Sequence, residues 1–518
     1  MKQETRTARS LKNMMVGFLS RIILIILPFV NRTIIIWYLG TEYLGLSSLF
    51  TSILSVLNLS ELGIGFAVVY NMYGLIVAKD EKGICSLLNF YKKVYGLVGA
   101  VIFIIGIILL PFLPFLIQGD VPININIYVL YCIYLLQTIS SFWVVGYKSV
   151  LLSAHQRADL VNGIQTLSLV GQQLTQVIML MSTRNFYFYA IMCPIWTIIN
   201  NIIVSLVVKR KFPQFSPKGN ISNEEKKKLK VQVSGLLADR VSVAIRNSTD
   251  NIVISSFFGL TVLAQYSNYY YIMYSGVYGT LLYLMQAVQA SIGDSIAGES
   301  VDKNYNDFIK ELDGFKKEFS WVNVISTACL FGLIQPFIGL WLGDKNVFSD
   351  QIMFMICAYC YIFNVTTPIN PYMDGNGLWD KVKTIVLASA ILNVILDIIL
   401  GKWLGISGII MATIISLAIP YIFFRIYYLY KCYFVSYRIS LYYKMQGVSL
   451  LAALLSCSFI YFFVSLPVFQ VKNKLIFLLI RLIICFLSSN IIFVLFFYKR
   501  EEFKDGCFYI LNHLHRGK

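Results

Sequence analysis

The stretch VYGLVGAVIFIIGIILLPFLPFLI, residues 94–117, runs for 24 residues without a charged side chain. A helix that crosses a bilayer needs about 20 mostly apolar residues, so this segment is long enough to span a membrane. Thirteen more apolar segments occur along the 518-residue chain. The fourteen predicted spans are about 14–38, 44–70, 94–117, 125–149, 163–182, 186–208, 236–258, 264–296, 318–342, 348–372, 383–400, 405–429, 446–466 and 475–498.

Composition agrees with many membrane spans. Hydrophobic residues make up 58% of the chain and charged residues only 13%, whereas soluble domains carry about 25% charged residues. This balance excludes a soluble multidomain enzyme, a secreted disulfide scaffold and a disordered protein. The ten cysteines are scattered and interpreted as buried thiols, and three histidines cannot form a cluster. We therefore predict an all-α polytopic membrane protein without a metal site or other cofactor.

Positive charge predicts the orientation in the membrane. With the N-terminus inside, 32 of the 43 Lys and Arg residues fall in inner segments and five fall in outer loops. Cytoplasmic loops carry such an excess of Lys and Arg, so both termini are expected in the cytoplasm. The same asymmetry explains the net charge of +17 without a nucleic-acid partner.

The sequence contains a weak internal repeat at an offset of 219 residues. This shift places residues 38–45 on 257–264, Arg21 on Arg240 and Asn31 on Asp250. Six spans per repeat is an even number, so the two halves share one orientation and a pseudo-two-fold axis along the membrane normal is expected. The predicted domains are an N-lobe (1–208), a basic cytoplasmic linker (209–235), a C-lobe (236–430), two extra spans (431–498) and a cytoplasmic tail (499–518).

Ionisable residues within the spans are the first candidate site. Such groups are costly in lipid and usually face a cavity or one another. Arginine presents a planar fork that suits phosphate, so a cationic cavity between the lobes would bind a phosphorylated substrate. The candidate substrate-binding residues are Arg21, Arg32, Arg240 and Arg246. The candidates for coupling to H⁺ or Na⁺ are Glu61, Asp250 and Asp397.

Span eight carries tyrosines at a spacing of four residues. They are Tyr266, Tyr270, Tyr274 and Tyr278. One interpretation is ordinary helix packing with satisfied hydroxyl groups. The other is an aromatic wall that stacks on sugar rings.

Enzymatic signatures are absent from the sequence. It contains no P-loop, no D-x-D pair and, on this topology, no outer loop long enough for a catalytic domain. A duplicated bundle with short loops and charged residues in its spans is therefore interpreted as a secondary transporter and not as an enzyme.

Residues 31–46 and 59–65, with the turn Leu151-Leu152-Ser153-Ala154-His155-Gln156-Arg157, resemble the Wzx-type polysaccharide flippases. These belong to the multidrug/oligosaccharidyl-lipid/polysaccharide (MOP) exporter superfamily. The resemblance implies two six-helix bundles around a central cavity in a bacterial cytoplasmic membrane. The implied substrate is an undecaprenyl-diphosphate-linked oligosaccharide, moved by alternating access for surface-polysaccharide synthesis. A polysaccharide polymerase and glycosyltransferases are candidate partners, and spans thirteen and fourteen fit the fourteen-span branch.

Two other functions stay open on the sequence alone. A cation-coupled multidrug exporter of the same superfamily would use the acidic residues within the spans. A membrane glycan polymerase, from a different class, would act on units already at the outer face.

Overall fold

The structure is a computed structural model and describes residues 6–58, 61–119, 121–282, 305–375, 378–434, 438–464, 466 and 473–498. Every regular element in these ranges is a helix. Backbone groups in a bilayer must be satisfied within their own segment, which selects helices for a chain this apolar. The predicted all-α class is confirmed.

Eight α-helices precede the basic linker. They are α1 (Arg6–Tyr38), α2 (Thr41–Leu57), α3 (Glu61–Val77), α4 (Glu81–Leu109), α5 (Ile127–Trp143), α6 (Ser149–Ala154), α7 (Ala158–Thr183) and α8 (Phe186–Lys211). Short 3₁₀ turns over Leu110–Leu116 and Gly146–Lys148 extend α4 and join α5 to α6.

Nine α-helices follow among the described residues. They are α9 (Asn223–Tyr271), α10 (Tyr305–Trp341), α11 (Asp350–Thr366), α12 (Asn370–Gly375), α13 (Trp379–Leu404), α14 (Ile406–Ala418), α15 (Ile426–Cys432), α16 (Ile439–Val464) and α17 (Lys474–Phe497). π-helical segments at Ile272–Tyr278 and Ile419–Arg425 continue α9 and join α14 to α15. A 3₁₀ turn at Thr367–Ile369 joins α11 to α12.

The described helices match the predicted spans closely. Eight are long and apolar enough to cross a membrane, and a ninth would be the bent pair Ile127–Trp143 and Gly146–Ala154. Three shorter apolar helices add to them, so the protein is a multi-pass membrane protein. One boundary differs from prediction: the span expected at 44–70 is divided between α2 and α3. The predicted linker 209–235 is also partly helical, since α8 extends to Lys211 and α9 begins at Asn223.

The chain forms two compact units, Met1–Ser267 and Asn268–Lys518. The first contains α1 to α8 and most of α9. The second contains α10 to α17. In the second unit α16 and α17 pack on α10, and a buried apolar cluster includes Val324, Tyr361, Ala452 and Phe493.

The order of elements repeats along the chain. Helix α5 has 17 residues, followed by a 3₁₀ turn and the six-residue α6. Helix α11 also has 17 residues, followed by a 3₁₀ turn and the six-residue α12. The same holds for α7 and α13, which have 26 residues each. Gly40 (φ 119°, ψ 169°) and Gly259 (φ 83°, ψ 178°), 219 positions apart, both end a helix in a conformation that favours glycine.

Candidate functional site

Arg32 is the predicted cation whose surroundings are best defined. It lies one turn and a half before the end of α1 and is half-buried. Its Nη1 donates to the carbonyl oxygen of Ser267 at 3.3 Å and to its Oγ at 3.2 Å. A guanidinium group held this way within a predicted span keeps its charge at a fixed position.

The other predicted cations are placed differently. Arg246 is fully buried, with 0% of its surface exposed, whereas Arg240 is exposed on the same helix, α9. Arg21 lies in α1, but its side chain is outside the described part of the structure, as is that of Glu61 in α3. The structure therefore describes Arg32, Arg240 and Arg246, in three different degrees of burial.

Asp250 lies four residues after Arg246 on α9, the spacing of an i,i+4 ion pair. Only 2% of its surface is exposed. Its Oδ2 accepts a hydrogen bond from the hydroxyl group of Tyr266 at 2.9 Å. Tyr266 lies beyond Gly259, so this bond joins the two arms of α9 across the kink. The bond gives Tyr266 a structural partner that the spacing of the tyrosines did not predict.

Neutral amides surround the residue before Arg32, and the sequence search missed them. Asn31 Nδ2 donates to Gln173 Oε1 and, at 3.2 Å, to Gln176 Oε1. Gln176 Nε2 donates in turn to Cys193 Sγ at 3.0 Å. The search weighed only charged residues, although amides in a membrane helix are also costly and also form networks. Three glutamines within five residues, Gln172, Gln173 and Gln176, were the available signal.

The turns around Gly40 and Gly259 bring equivalent positions of the repeat together. Thr261 Oγ1 donates to Glu42 Oε1 at 3.2 Å, and these residues are 219 positions apart. Gly45 on α2 lies so close to α9 that a Cβ there would overlap the carbonyl of Leu260. Contact between equivalent residues is what a two-fold axis produces where it passes between them.

Three of the predicted tyrosines form a stack in the second unit. The ring centroids of Tyr270 and Tyr274 are 5.2 Å apart, as are those of Tyr274 and Tyr278. Phe363 of α11 packs on Tyr274 at 5.7 Å and on Tyr278 at 4.2 Å. Tyr270 and Tyr274 are half-buried, and 8% of Tyr278 is exposed. The stack is thus partly helix packing, and its contact with a glycan stays a prediction.

Asp397 lies at the centre of a buried polar group between α13 and α14. Neither Asp397 nor Asn393 has exposed surface. Asn393 Nδ2 lies 3.3 Å from Asp397 Oδ1 and 3.3 Å from Thr413 Oγ1, and Thr413 Oγ1 lies 3.2 Å from the carbonyl of Ile409. Which way the amide of Asn393 points is assigned from this network. With the amide reversed, four oxygen atoms would face one another around a single carboxylate.

The turn after α6 closes on the start of the linker. The ring of His155 packs on Phe212 at 4.2 Å and on Phe215 at 5.6 Å. Arg157 Nε donates to Asp159 Oδ1 at 3.0 Å, and this hydrogen bond lowers the pKa of Asp159 below its usual value. Both side chains are exposed, so the pair contributes little to stability.

Solved structures with this fold are membrane transporters. The lipid II flippase MurJ, in an inward closed conformation, matches with a TM-score of 0.64 and 16% identity over 94% of this chain and 98% of that one. An inward-facing multidrug resistance MATE family transporter of the MOP superfamily matches with 0.57 and 16% over 79% and 96%. A mutant of the Vibrio cholerae MATE transporter VcmN matches with 0.54 and 14% over 83% and 98%. The predicted resemblance to the MOP superfamily is confirmed as a likeness of fold.

Sequence comparison adds no closer relative. Neither the protein-family models nor the curated proteins give a match to this chain.

Proposed function

We propose that this protein is a flippase that moves an undecaprenyl-diphosphate-linked oligosaccharide across the bacterial cytoplasmic membrane by alternating access. The likeness to the MurJ lipid II flippase supports the proposal because it extends over 94% of the chain, whereas the two MATE likenesses extend over 79% and 83%. The known structures with this fold are transporters, which favours transport over catalysis. A lipid-linked substrate also suits a protein with exposed apolar helices.

The observation that carries the proposal is Arg32. It is a half-buried arginine in α1, hydrogen-bonded to Ser267 on α9. A charge within a membrane span is costly and is a functional-site candidate by default. Its planar fork forms strong, charge-assisted bonds with phosphate oxygens, so we assign the diphosphate of the substrate to Arg32.

Charge reversal at Arg32 tests this assignment. In a strain that depends on this gene, Arg32→Glu should lower surface-polymer export by at least about tenfold, since a charge-assisted hydrogen bond contributes roughly 1.5–3 kcal/mol. Lipid-linked units should accumulate at the inner face. Arg184→Glu, a reversal at an exposed loop residue, is the matched control and should export normally. Normal export by the Arg32 variant at normal protein level would remove Arg32 from the site.

We further propose that Asp397 couples transport to H⁺ or Na⁺. A buried carboxylate with the oxygens of Thr413 and Ile409 nearby is suited to hold a small cation or a proton. The isosteric change Asp397→Asn removes the charge and should abolish the response of transport to an imposed Na⁺ or pH gradient in proteoliposomes. Asp380→Asn, at an exposed carboxylate paired with Lys383 at 3.1 Å, is the control and should keep that response. An intact response in the Asp397 variant excludes Asp397 as the coupling residue.

A cation-coupled multidrug exporter is the second candidate, favoured by the MATE likenesses and by the buried Asp250 and Asp397. A deletion strain separates the two functions. Loss of surface polymer with unchanged drug tolerance supports the flippase, and increased drug sensitivity with normal polymer supports the exporter. Accumulation of unpolymerised units at the outer face would instead indicate a glycan polymerase.

A further inference from the structure

A groove in the second unit lies apart from every residue assigned above. It encloses about 790 Å³ between α10, α11, α16 and α17. Its polar lining comes from Gln335, Asp350 and Arg481, and its apolar lining includes Phe331, Met353, Ile460 and Phe477. A polar cavity at a membrane-facing helix pair is costly unless something polar fills it.

Arg481 is the only arginine or lysine in this lining, and it lacks an acidic partner in the described part of the chain. No carboxylate there lies within 4.0 Å of its guanidinium group, and its buried Nε has no hydrogen-bond partner. Its guanidinium instead lies over the ring of Phe477, 4.8 Å from the centroid. Leaving a charged donor buried and unmatched is unfavourable, so the groove favours an anionic ligand.

The position of Arg481 indicates where that ligand comes from. Arg481 lies seven residues from Lys474, the first residue of α17, which is about 10 Å along a helix. Lys474 pairs with the exposed Asp344 at 2.9 Å, so that end of α17 lies at the membrane surface. Phe477 is one turn nearer this end, and the Arg481 side chain is therefore directed towards the headgroup region. In the predicted orientation this is the outer leaflet.

Simple extension of Arg481 to water does not account for the groove. A snorkelling arginine needs only a path along its own helix. Here α10, α11 and α16 contribute to a shared cavity around it. Pro336 within α10 also removes the helical donor for the carbonyl of Gly332, which lines the same groove and can accept a hydrogen bond from a headgroup hydroxyl.

We propose that this groove binds the phosphate headgroup of a lipid from the outer leaflet, with the phosphate on Arg481. The exposed apolar side chains of Phe462, Leu475 and Leu479 on the neighbouring turns of α16 and α17 contact the lipid chains. The site is independent of the proposed flippase activity, because it uses none of the residues assigned to the transported substrate.

Native mass spectrometry of the whole protein in a phosphate-free maltoside detergent tests the proposal. The probes are phosphatidylglycerol, diacylglycerol with the same chains, and inorganic phosphate. The wild-type protein should bind phosphatidylglycerol about tenfold more tightly than diacylglycerol, since bidentate Arg–phosphate contacts are charge-assisted. Arg481→Gln should lower phosphatidylglycerol binding to the diacylglycerol level. Arg184→Gln, which removes an exposed charge in another loop, should not.

Arg481→Lys keeps the charge without the planar fork and should give an intermediate affinity, which also covers the case in which the glutamine variant fails to fold. Equal phosphatidylglycerol binding by the wild type and Arg481→Gln would overturn the site. Displacement of phosphatidylglycerol by an equal concentration of inorganic phosphate would overturn the lipid as its ligand.

Discussion

At the residue scale, Gly259 shows how one backbone conformation shapes α9. Its φ of 83° and ψ of 178° lie in a region essentially restricted to glycine, and a Cβ there would lie 2.8 Å from the carbonyl oxygen of Gln118. Gly259→Ala should therefore destabilise the protein by about 1–3 kcal/mol, the usual cost of such a conformation. A thermal unfolding curve in detergent should show a lower midpoint.

Gly74 provides the control for this change. It lies within α3 and has no neighbouring atom within 4 Å of an added Cβ. Alanine is the better helix former by roughly 0.5–1 kcal/mol, so Gly74→Ala should leave the midpoint unchanged or raise it. Equal midpoints for the two alanine variants would show that the conformation at Gly259 is not required.

The two arginines Arg32 and Arg246 mark the limit of sequence analysis at this scale. Both were predicted because charges within spans are costly, and helix periodicity gave each a face. Periodicity does not say which helix covers that face. The structure leaves Arg32 half-buried against Ser267 and buries Arg246 completely. The Asn31 amide network escaped prediction because neutral residues carry no charge signal.

At the element scale, the hairpins of the repeat meet at equivalent residues, Glu42 and Thr261. If transport proceeds by alternating access, α2 and the second arm of α9 must separate at this end during the cycle. A double variant with cysteine at 42 and 261, bridged by a short thiol-reactive cross-linker, should stop transport. Without the cross-linker the same variant should transport.

The exposed Cys132 and Cys432 are changed to serine in that experiment, so that the reagent bridges the intended pair. Labelling each cysteine alone is the control for modification without bridging. Unchanged transport in the bridged protein would show that this end of the molecule stays closed throughout the cycle.

Element positions were largely predictable, because a long apolar run has only one stable backbone in lipid. The spans expected at 446–466 and 475–498 correspond to α16 and α17 almost residue for residue. The division between α2 and α3 was not predicted. Asn58 ends α2 within an apolar sequence, and hydropathy summed over 20 residues does not register one polar residue.

At the scale of the whole molecule, α16 and α17 are part of the second unit and not an appendage. Trp321 on α10 donates from Nε1 to Asn490 Oδ1 on α17 at 3.0 Å. Gly332 on α10 lies so close to α17 that a Cβ there would overlap Cys485 Sγ. Phe493 and Phe497 complete a buried cluster with Val324 and Tyr361. Close approach through a small residue is how helices associate without a hydrophobic drive in lipid.

Removal of the pair should therefore unfold this protein, although the MATE structures match only 79–83% of the chain. A chain ending at residue 434 would expose the cluster around Val324, and we expect aggregation in size-exclusion chromatography. Gly332→Leu tests the same packing without truncation and should lower the unfolding midpoint, because leucine cannot fit against Cys485. Gly447→Leu, at a glycine on α16 with open space around it, is the matched control. A monodisperse and active truncated protein would mean that the second unit folds without its last two helices.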